Sequence, residues 1–225
     1  MTHPLQCAQH DGSPYAYSFP LVEGVIQGRK VLDLGCNEGY HLTSSGSGSV
    51  GVDIDLRSLR TARQRGFNVL CANIDLMPWP LASGAFETVV ASHVLEHTRS
   101  PIGFLEECNR VLVPSGSLLL GLPIEDGLYS RLRYPYFEGS EGHLYSFSRA
   151  NIAKLLWASG FRADGFRYHP AFFGFRNYPR ITRLFQRLGK GAYHLSAAYW
   201  VVATRQGLPQ SPDRVSSYFE RAVYS

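Results

Sequence analysis

The sequence predicts an α/β fold: a single domain with helices packed on both faces of a mostly parallel sheet. Short apolar runs alternate with helical patterns through the first half of the chain, the rhythm that strand–helix–strand crossovers require. The first run enters a tight turn holding two glycines, Gly35 and Gly39, as strands do where a helix follows at once. With 225 residues the chain can bury one sizeable core and is short for two.

The apolar runs lie at residues 31–34, 50–54, 69–72, 86–92 and 117–122. Between the second and third, Leu56, Leu59 and Ala62 recur at helical spacing before Gly66, which suits a C-terminal cap. Ser100 and Pro101 supply an N-cap and a first-turn proline. Phe104, Leu105, Cys108, Val111 and Leu112 then mark a buried face until Pro114, Ser115 and Gly116 end it. Ser148 opens a further helix whose Ile152, Leu155 and Leu156 face inward, with Gly160 as its stop. Residues 161–168 and 194–204 read as two more strands, flanking an aromatic and basic insertion at 169–193 that is a candidate lid. The chain thus divides into an N-terminal segment (1–27) expected to cap the site at the glycine turn, a domain (28–205) and a polar tail (206–225). The Ser-Gly run at 44–49 is too short for an interdomain linker and reads as a loop.

Composition narrows the class without deciding function. Hydrophobic residues make up 44% and charged residues 18%, which excludes disordered and fibrous chains. A net charge of +4 is too weak a footprint to predict nucleic acid unless it gathers on one face. No window offers the roughly 20 apolar residues of a membrane span, and the amino terminus lacks a basic stretch followed by an apolar one. Cys7, Cys36, Cys71 and Cys108 are far apart with no C-x-x-C pair, which fits a reducing cytoplasm.

Chemistry centres on Val31-Leu32-Asp33-Leu34-Gly35-Cys36-Asn37-Glu38-Gly39. Glycine lets a ligand approach the backbone closely, and the helix start that follows presents unpaired N–H groups. Twenty residues after Asp33 stands Asp53, at the end of the second run, where a carboxylate can accept both hydroxyls of a ribose. A dinucleotide site would want G-x-G-x-x-G, but Asn37 and Tyr40 occupy the second and third glycine positions; a P-loop has no match anywhere.

Further segments follow in register: Gly51-Val52-Asp53; Asn73-Ile74 with Met77-Pro78-Trp79; Phe86-Glu87-Thr88-Val89-Val90; Leu95-Glu96-His97; and Arg110-Val111-Leu112-Val113-Pro114-Ser115-Gly116. Together with His143-Leu144-Tyr145-Ser146-Phe147-Ser148 and Ala158-Ser159-Gly160-Phe161, they resemble the class I S-adenosylmethionine-dependent methyltransferases of the type-11 and type-23 kind over about residues 28–161. The resemblance implies a Rossmann-like, seven-stranded sheet with an antiparallel last strand and S-adenosylmethionine as cofactor. It further implies that Gly35 and Gly39 line the methionine part of the donor, that Asp53 binds the ribose, that Asn73 and the Ile74 amide read the adenine edge, and that Asp33, Cys36 and Ile54 also belong to the cofactor site. Met77 or Trp79 would approach the adenine face, and Ser92 and His93 the amino and sulfonium groups. Asn37, Asn73 and Glu87 depart from the family's usual glycine and two aspartates. An amide still accepts from the adenine amino group, and asparagine tolerates left-handed backbone.

The same resemblance implies methyl transfer to a small-molecule, sugar or lipid-type acceptor, with oxygen as the expected target and His97, then His143, as candidate general bases. Tyr145 with Phe172, Phe173 and Phe175 would form the acceptor wall. A binding or regulatory protein without turnover is one alternative. An RNA methyltransferase is another, disfavoured because no N-P-P-Y or D-P-P-Y segment and no RNA-binding appendage are present; nucleic acid is therefore not expected as a partner. His93-Val94-Leu95-Glu96-His97 matches the H-x-x-E-H pattern of a zinc peptidase, but it follows a buried strand directly, and no metal is expected. Ile181, Leu184, Phe185 and Leu188 alternate with Arg180, Arg183, Arg187 and Lys190 as a basic amphipathic helix over 179–190. It reads as a helix packed on the sheet, with a lid, an anionic or lipid-linked acceptor, or peripheral membrane contact as alternatives.

Overall fold

The computed structural model describes residues 19–128, 142–170 and 196–211. The chain order is α1 (Phe19–Ile26), β1 (Val31–Leu34), a 3-10 turn (Tyr40–Leu42), β2 (Val50–Asp53), α2 (Leu56–Gln64) and β3 (Val69–Cys71). Then follow β4 (Phe86–Ser92), a 3-10 turn (Leu95–His97), α3 (Pro101–Val111), β5 (Leu112–Pro123), α4 (Arg149–Ala158), β6 (Phe161–Pro170) and β7 (Ser196–Arg205).

Seven strands form one sheet in the order β3-β2-β1-β4-β5-β7-β6. The first five run parallel, and β7 pairs antiparallel with both β5 and β6. Strand β1 is buried at all four positions and β4 at all but Glu87, as strands covered on both faces must be. On one face α3 and α4 supply Phe104, Leu105, Cys108, Val111, Ile152 and Leu156 to the main core. On the other, Val22 and Ile26 of α1 pack with Val31, Leu42, Val90, Leu119 and Trp200. Helix α1 thus belongs to the folded core although the sequence places the domain start after it.

The two N-caps read from the sequence, Ser100 and Ser148, hold, and Asp55 is a third that was not read. Asp55 caps α2 through Arg57 N–H and Ser58 N–H, Ser100 caps α3 through Gly103 N–H, and Ser148 caps α4 through Asn151 N–H. The fifth strand departs from expectation. Pro114, Ser115 and Gly116 were to stop α3 ahead of a strand at 117–122, yet β5 already begins at Leu112 and runs through them. Leu112 pairs with Phe86 and Ser117 with Thr88, so four residues face one across a bulge, with Ser115 at φ 60 absorbing the excess.

Candidate active site

Strand β1 is flanked by β2 on one side and β4 on the other, so successive crossovers leave it in opposite directions. Ligands bind at the carboxyl ends of strands where such a reversal opens a crevice. Gly35 lies there with φ 68, and a Cβ added to it would sit 2.5 Å from Val94 Cγ2. The N–H groups of Gly35 and Cys36 both donate to Val52 O, at 2.8 and 3.0 Å, tying the turn to β2. Asn37, the departure from the family's middle glycine, takes the left-handed conformation at φ 48, and Gly39 does so at φ 78. Asn37 N–H donates to Asp53 Oδ2 at 2.8 Å, while Asp53 Oδ1 accepts from Asp55 N–H at 2.9 Å. A carboxylate has about four lone-pair positions, so Asp53 is oriented by two bonds and keeps capacity for two more. The neighbouring Asp55 carboxyl is held below the usual carboxylate range, first by the Ser58 hydroxyl and then by the α2 N–H groups.

A recess of about 220 Å³ opens at this point, walled by Gly35, Asp53, Ile54, Asn73, Ile74 and His93, with Asp75 and His97 at its edge. Ile54 is 66% exposed, an apolar side chain left uncovered beside the recess. Asn73 Oδ1 accepts from Asp75 N–H at 3.0 Å, and Asp75 Oδ1 accepts from Arg99 N–H at 2.9 Å. Asp75 therefore stands in the wall beside Asn73, a residue that sequence reasoning missed; its carboxylate two positions after Asn73 was the available signal. A larger recess of about 840 Å³ lies away from the reversal point, between α4, the start of β6 and residues 206–211.

Other predicted donor residues sit behind the wall rather than in it. Trp79 is turned into the core against Phe104, its indole N–H donating to Ile74 O at 2.9 Å, so it braces the loop carrying Asn73 and Ile74 from behind. Met77 packs beside Gly103, where a Cβ would meet its sulfur at 3.0 Å. The Cys36 thiol points at Gly51, and burial pushes it far above the ordinary thiol range, leaving only its backbone to face a ligand. Ser92 is buried at the end of β4. Asp33 is buried with His41 Nδ1 3.4 Å from Oδ1, while Oδ2 has no hydrogen bond.

The turn after β4 builds the other side. His93 has φ 55, its N–H donating to Gly121 O at 2.9 Å, and its ring is half exposed. Glu96 is wholly buried, and its backbone carbonyl accepts from Leu144 N–H at 2.8 Å and Tyr145 N–H at 3.3 Å. Those two bonds bring the segment after β5 to the turn, so that the His97 and His143 rings meet edge to face with centroids 4.6 Å apart. His97 Nδ1 lies 3.3 Å from Gly142 O and His143 Nδ1 2.6 Å from Glu125 Oε1. Tyr145 stacks on Phe147 and donates its hydroxyl to Arg99 O. Glu125 had no signal in the sequence, since nothing in its spacing ties it to His143. Phe172, Phe173, Phe175 and the basic helix at 179–190 lie outside the described residues.

The family model for a methyltransferase domain matches residues 21–164. A tRNA U34 carboxymethyltransferase of Pseudoalteromonas translucida (strain TAC 125) is 38% identical over 141 residues, 59% of this chain and 44% of that protein. A tRNA U34 carboxymethyltransferase of Methylococcus capsulatus is 32% identical over 157 residues, 63% of this chain and 48% of that protein. The chain thus spans less than half the length of these relatives. An S-adenosylmethionine-dependent methyltransferase structure from Mesorhizobium loti superposes with a TM-score of 0.62 at 16% identity, covering 84% of this chain and 98% of that one, which establishes the fold. Two expectations are corrected by the curated relatives. The names of these relatives place their activity on tRNA, which overturns both the expectation of a small-molecule, sugar or lipid acceptor methylated at oxygen and the expectation that nucleic acid is no partner. The missing N-P-P-Y segment argued only against presenting an exocyclic base amine, and uridine has none, so the exclusion reached further than its observation.

Proposed function

The chain belongs to the methyltransferase domain family, and from that membership we propose that it transfers a methyl group from S-adenosylmethionine to RNA of the tRNA class. The observation that carries the donor half is Asp53, pinned by Asn37 N–H and Asp55 N–H at the mouth of the recess with lone pairs still available. Gly35 and Gly39 admit the methionine portion, and the buried Asp33 Oδ2, which lacks a hydrogen bond, is the kind of atom an ammonium group satisfies. Asp53 takes the ribose hydroxyls, Ile54 covers an adenine face, and Asn73, the Ile74 amide and Asp75 read its edge. Ser92 and His93 close the sulfonium end.

The donor supplies an activated methyl group. The chain contributes in-line positioning and exclusion of water, which carry most of such a transfer. His97 and His143, the latter oriented by Glu125, face the acceptor, with Tyr145 beside them. The acceptor class is supported by the tRNA U34 carboxymethyltransferases among the relatives. The compartment is the cytoplasm, in keeping with free Cys36, Cys71 and Cys108 and with no described helix long and apolar enough to cross a membrane.

Titration calorimetry tests the donor half. Asp53→Ala removes charge-assisted bonds worth roughly 1.5–3 kcal/mol each, so affinity for S-adenosylmethionine and its demethylated product falls about tenfold or more. Unchanged affinity in the variant would remove the ribose assignment.

A further inference from the structure

We propose that Glu96, His97 and His143 form a binding site for one divalent transition-metal ion of the zinc type, at the acceptor end of the recess. Three independent observations converge on it. The ligating atoms of these three side chains lie within 4.8 Å of one another. A closed tetrahedral site with bonds near 2.0–2.2 Å separates its ligands by about 3.3 Å, so side-chain rotation of an ångström or so completes the set. One buried glutamate with two imidazoles is also a ligand combination that holds a catalytic zinc while leaving a fourth position open.

The second observation is the state of Glu96. Its side chain is 0% exposed, and both carboxylate oxygens are buried without a hydrogen bond. His93 Nδ1 lies 3.3 Å from Oε1 but out of hydrogen-bond alignment. A buried carboxylate is costly unless it is paired or coordinates a metal, and a cation between Glu96 and the two rings removes that cost.

The third is what stands behind the rings. His97 Nδ1 faces the Gly142 carbonyl at 3.3 Å and His143 Nδ1 faces the Glu125 carboxylate at 2.6 Å. In each case Nδ1–H donates to the acceptor, which fixes the tautomer whose Nε2 is the nitrogen able to ligate. Metal-ligating histidines are held in this way, by a backbone carbonyl or a carboxylate on the opposite nitrogen. The H-x-x-E-H spacing could not reveal the site, because the deciding ligand, His143, arrives from the far side of β5 through the Glu96 carbonyl's bonds to Leu144 and Tyr145. The open position takes water or an oxygen of the RNA; that role rests on the acceptor-side reading above, whereas the binding of the ion does not.

The test uses the full chain, stripped of metal by a chelator and titrated calorimetrically with zinc chloride, with neither donor nor RNA present. One ion per chain is expected. Glu96→Gln and His97→Gln should each weaken binding by roughly tenfold or more, with Glu125→Gln, acting through His143, weakening it by a similar factor. Because Glu96 is buried, unfolding midpoints of the metal-free variants are compared first; if Glu96→Gln does not fold, the exposed His97→Gln decides. No stoichiometric zinc in the wild type, or wild-type affinity in His97→Gln, would overturn the site. Donor binding by the same preparation is read separately through Asp53→Ala, so loss of one proposal is not mistaken for loss of the other.

Discussion

Gly35 is a position in the wall of the recess where one added methyl group would be felt at once. Its φ of 68 is left-handed, and a Cβ would stand 2.5 Å from Val94 Cγ2, a branched carbon fixed by the buried turn after β4. Relieving that overlap must move either the β1 turn or the turn carrying His93 and His97, and both line the recess. Strained backbone of this kind costs about 1–3 kcal/mol, so Gly35→Ala should lower donor affinity by roughly five- to a hundredfold, measured by calorimetry. An alanine variant that binds as the wild type does would show that the donor does not depend on this turn. The left-handed turn at Gly35 and Gly39 and the place of Asp53 at the end of β2 were legible in the sequence because a residue type and a spacing announced them. Trp79 was not legible in the same way: whether its indole faced the recess or the core depended on Phe104, which comes from a different element.

At the scale of elements, the loop between β3 and β4 is held by α3. Glu107 Oε2 accepts from Trp79 N–H at 2.7 Å, and Arg110 clasps the same carboxylate at 2.7 and 2.8 Å while donating to Leu81 O and Trp79 O. Bonding from the Arg110 side chain, then from Trp79 N–H, holds the Glu107 carboxyl below its ordinary range against the opposing effect of burial. A carboxyl depressed in the folded state stabilises the fold fully above its unfolded value of about 4.3, and this contribution disappears as pH falls through the lower folded value. Glu107→Gln should therefore cost about 1–3 kcal/mol at neutral pH and lessen the loss of stability on acidification, followed by denaturant unfolding at several pH values. An unchanged acid limb would deny Glu107 that role. The start and buried face of α3 could be read from Ser100, Pro101 and the apolar spacing. The beginning of β5 could not, because Pro114 and Gly116 are local stop signals, and pairing with β4 across a bulge outweighs them.

At the scale of the whole molecule, the parallel sheet, its reversal at β1 and the cleft beside it follow from the order of apolar runs and glycine turns, which is why fold and donor were readable in advance. The acceptor was not. The wall proposed for it is assembled from the turn after β4, residues 142–147 and Glu125, which meet only through tertiary pairing, and no periodicity encodes what they face. Aromatic content suggested an apolar ring, but a base presents the same stacking surface, so composition alone could not separate a metabolite from RNA. The central claim is RNA methylation, and the direct measurement is transfer of radiolabelled methyl from S-adenosylmethionine to unmodified tRNA, scored by nucleotide analysis alongside a panel of small hydroxylated and lipid acceptors. The account predicts label in a tRNA nucleoside, none in the small molecules, and loss of that label in Asp53→Ala. Label in a small molecule with unlabelled tRNA would contradict it.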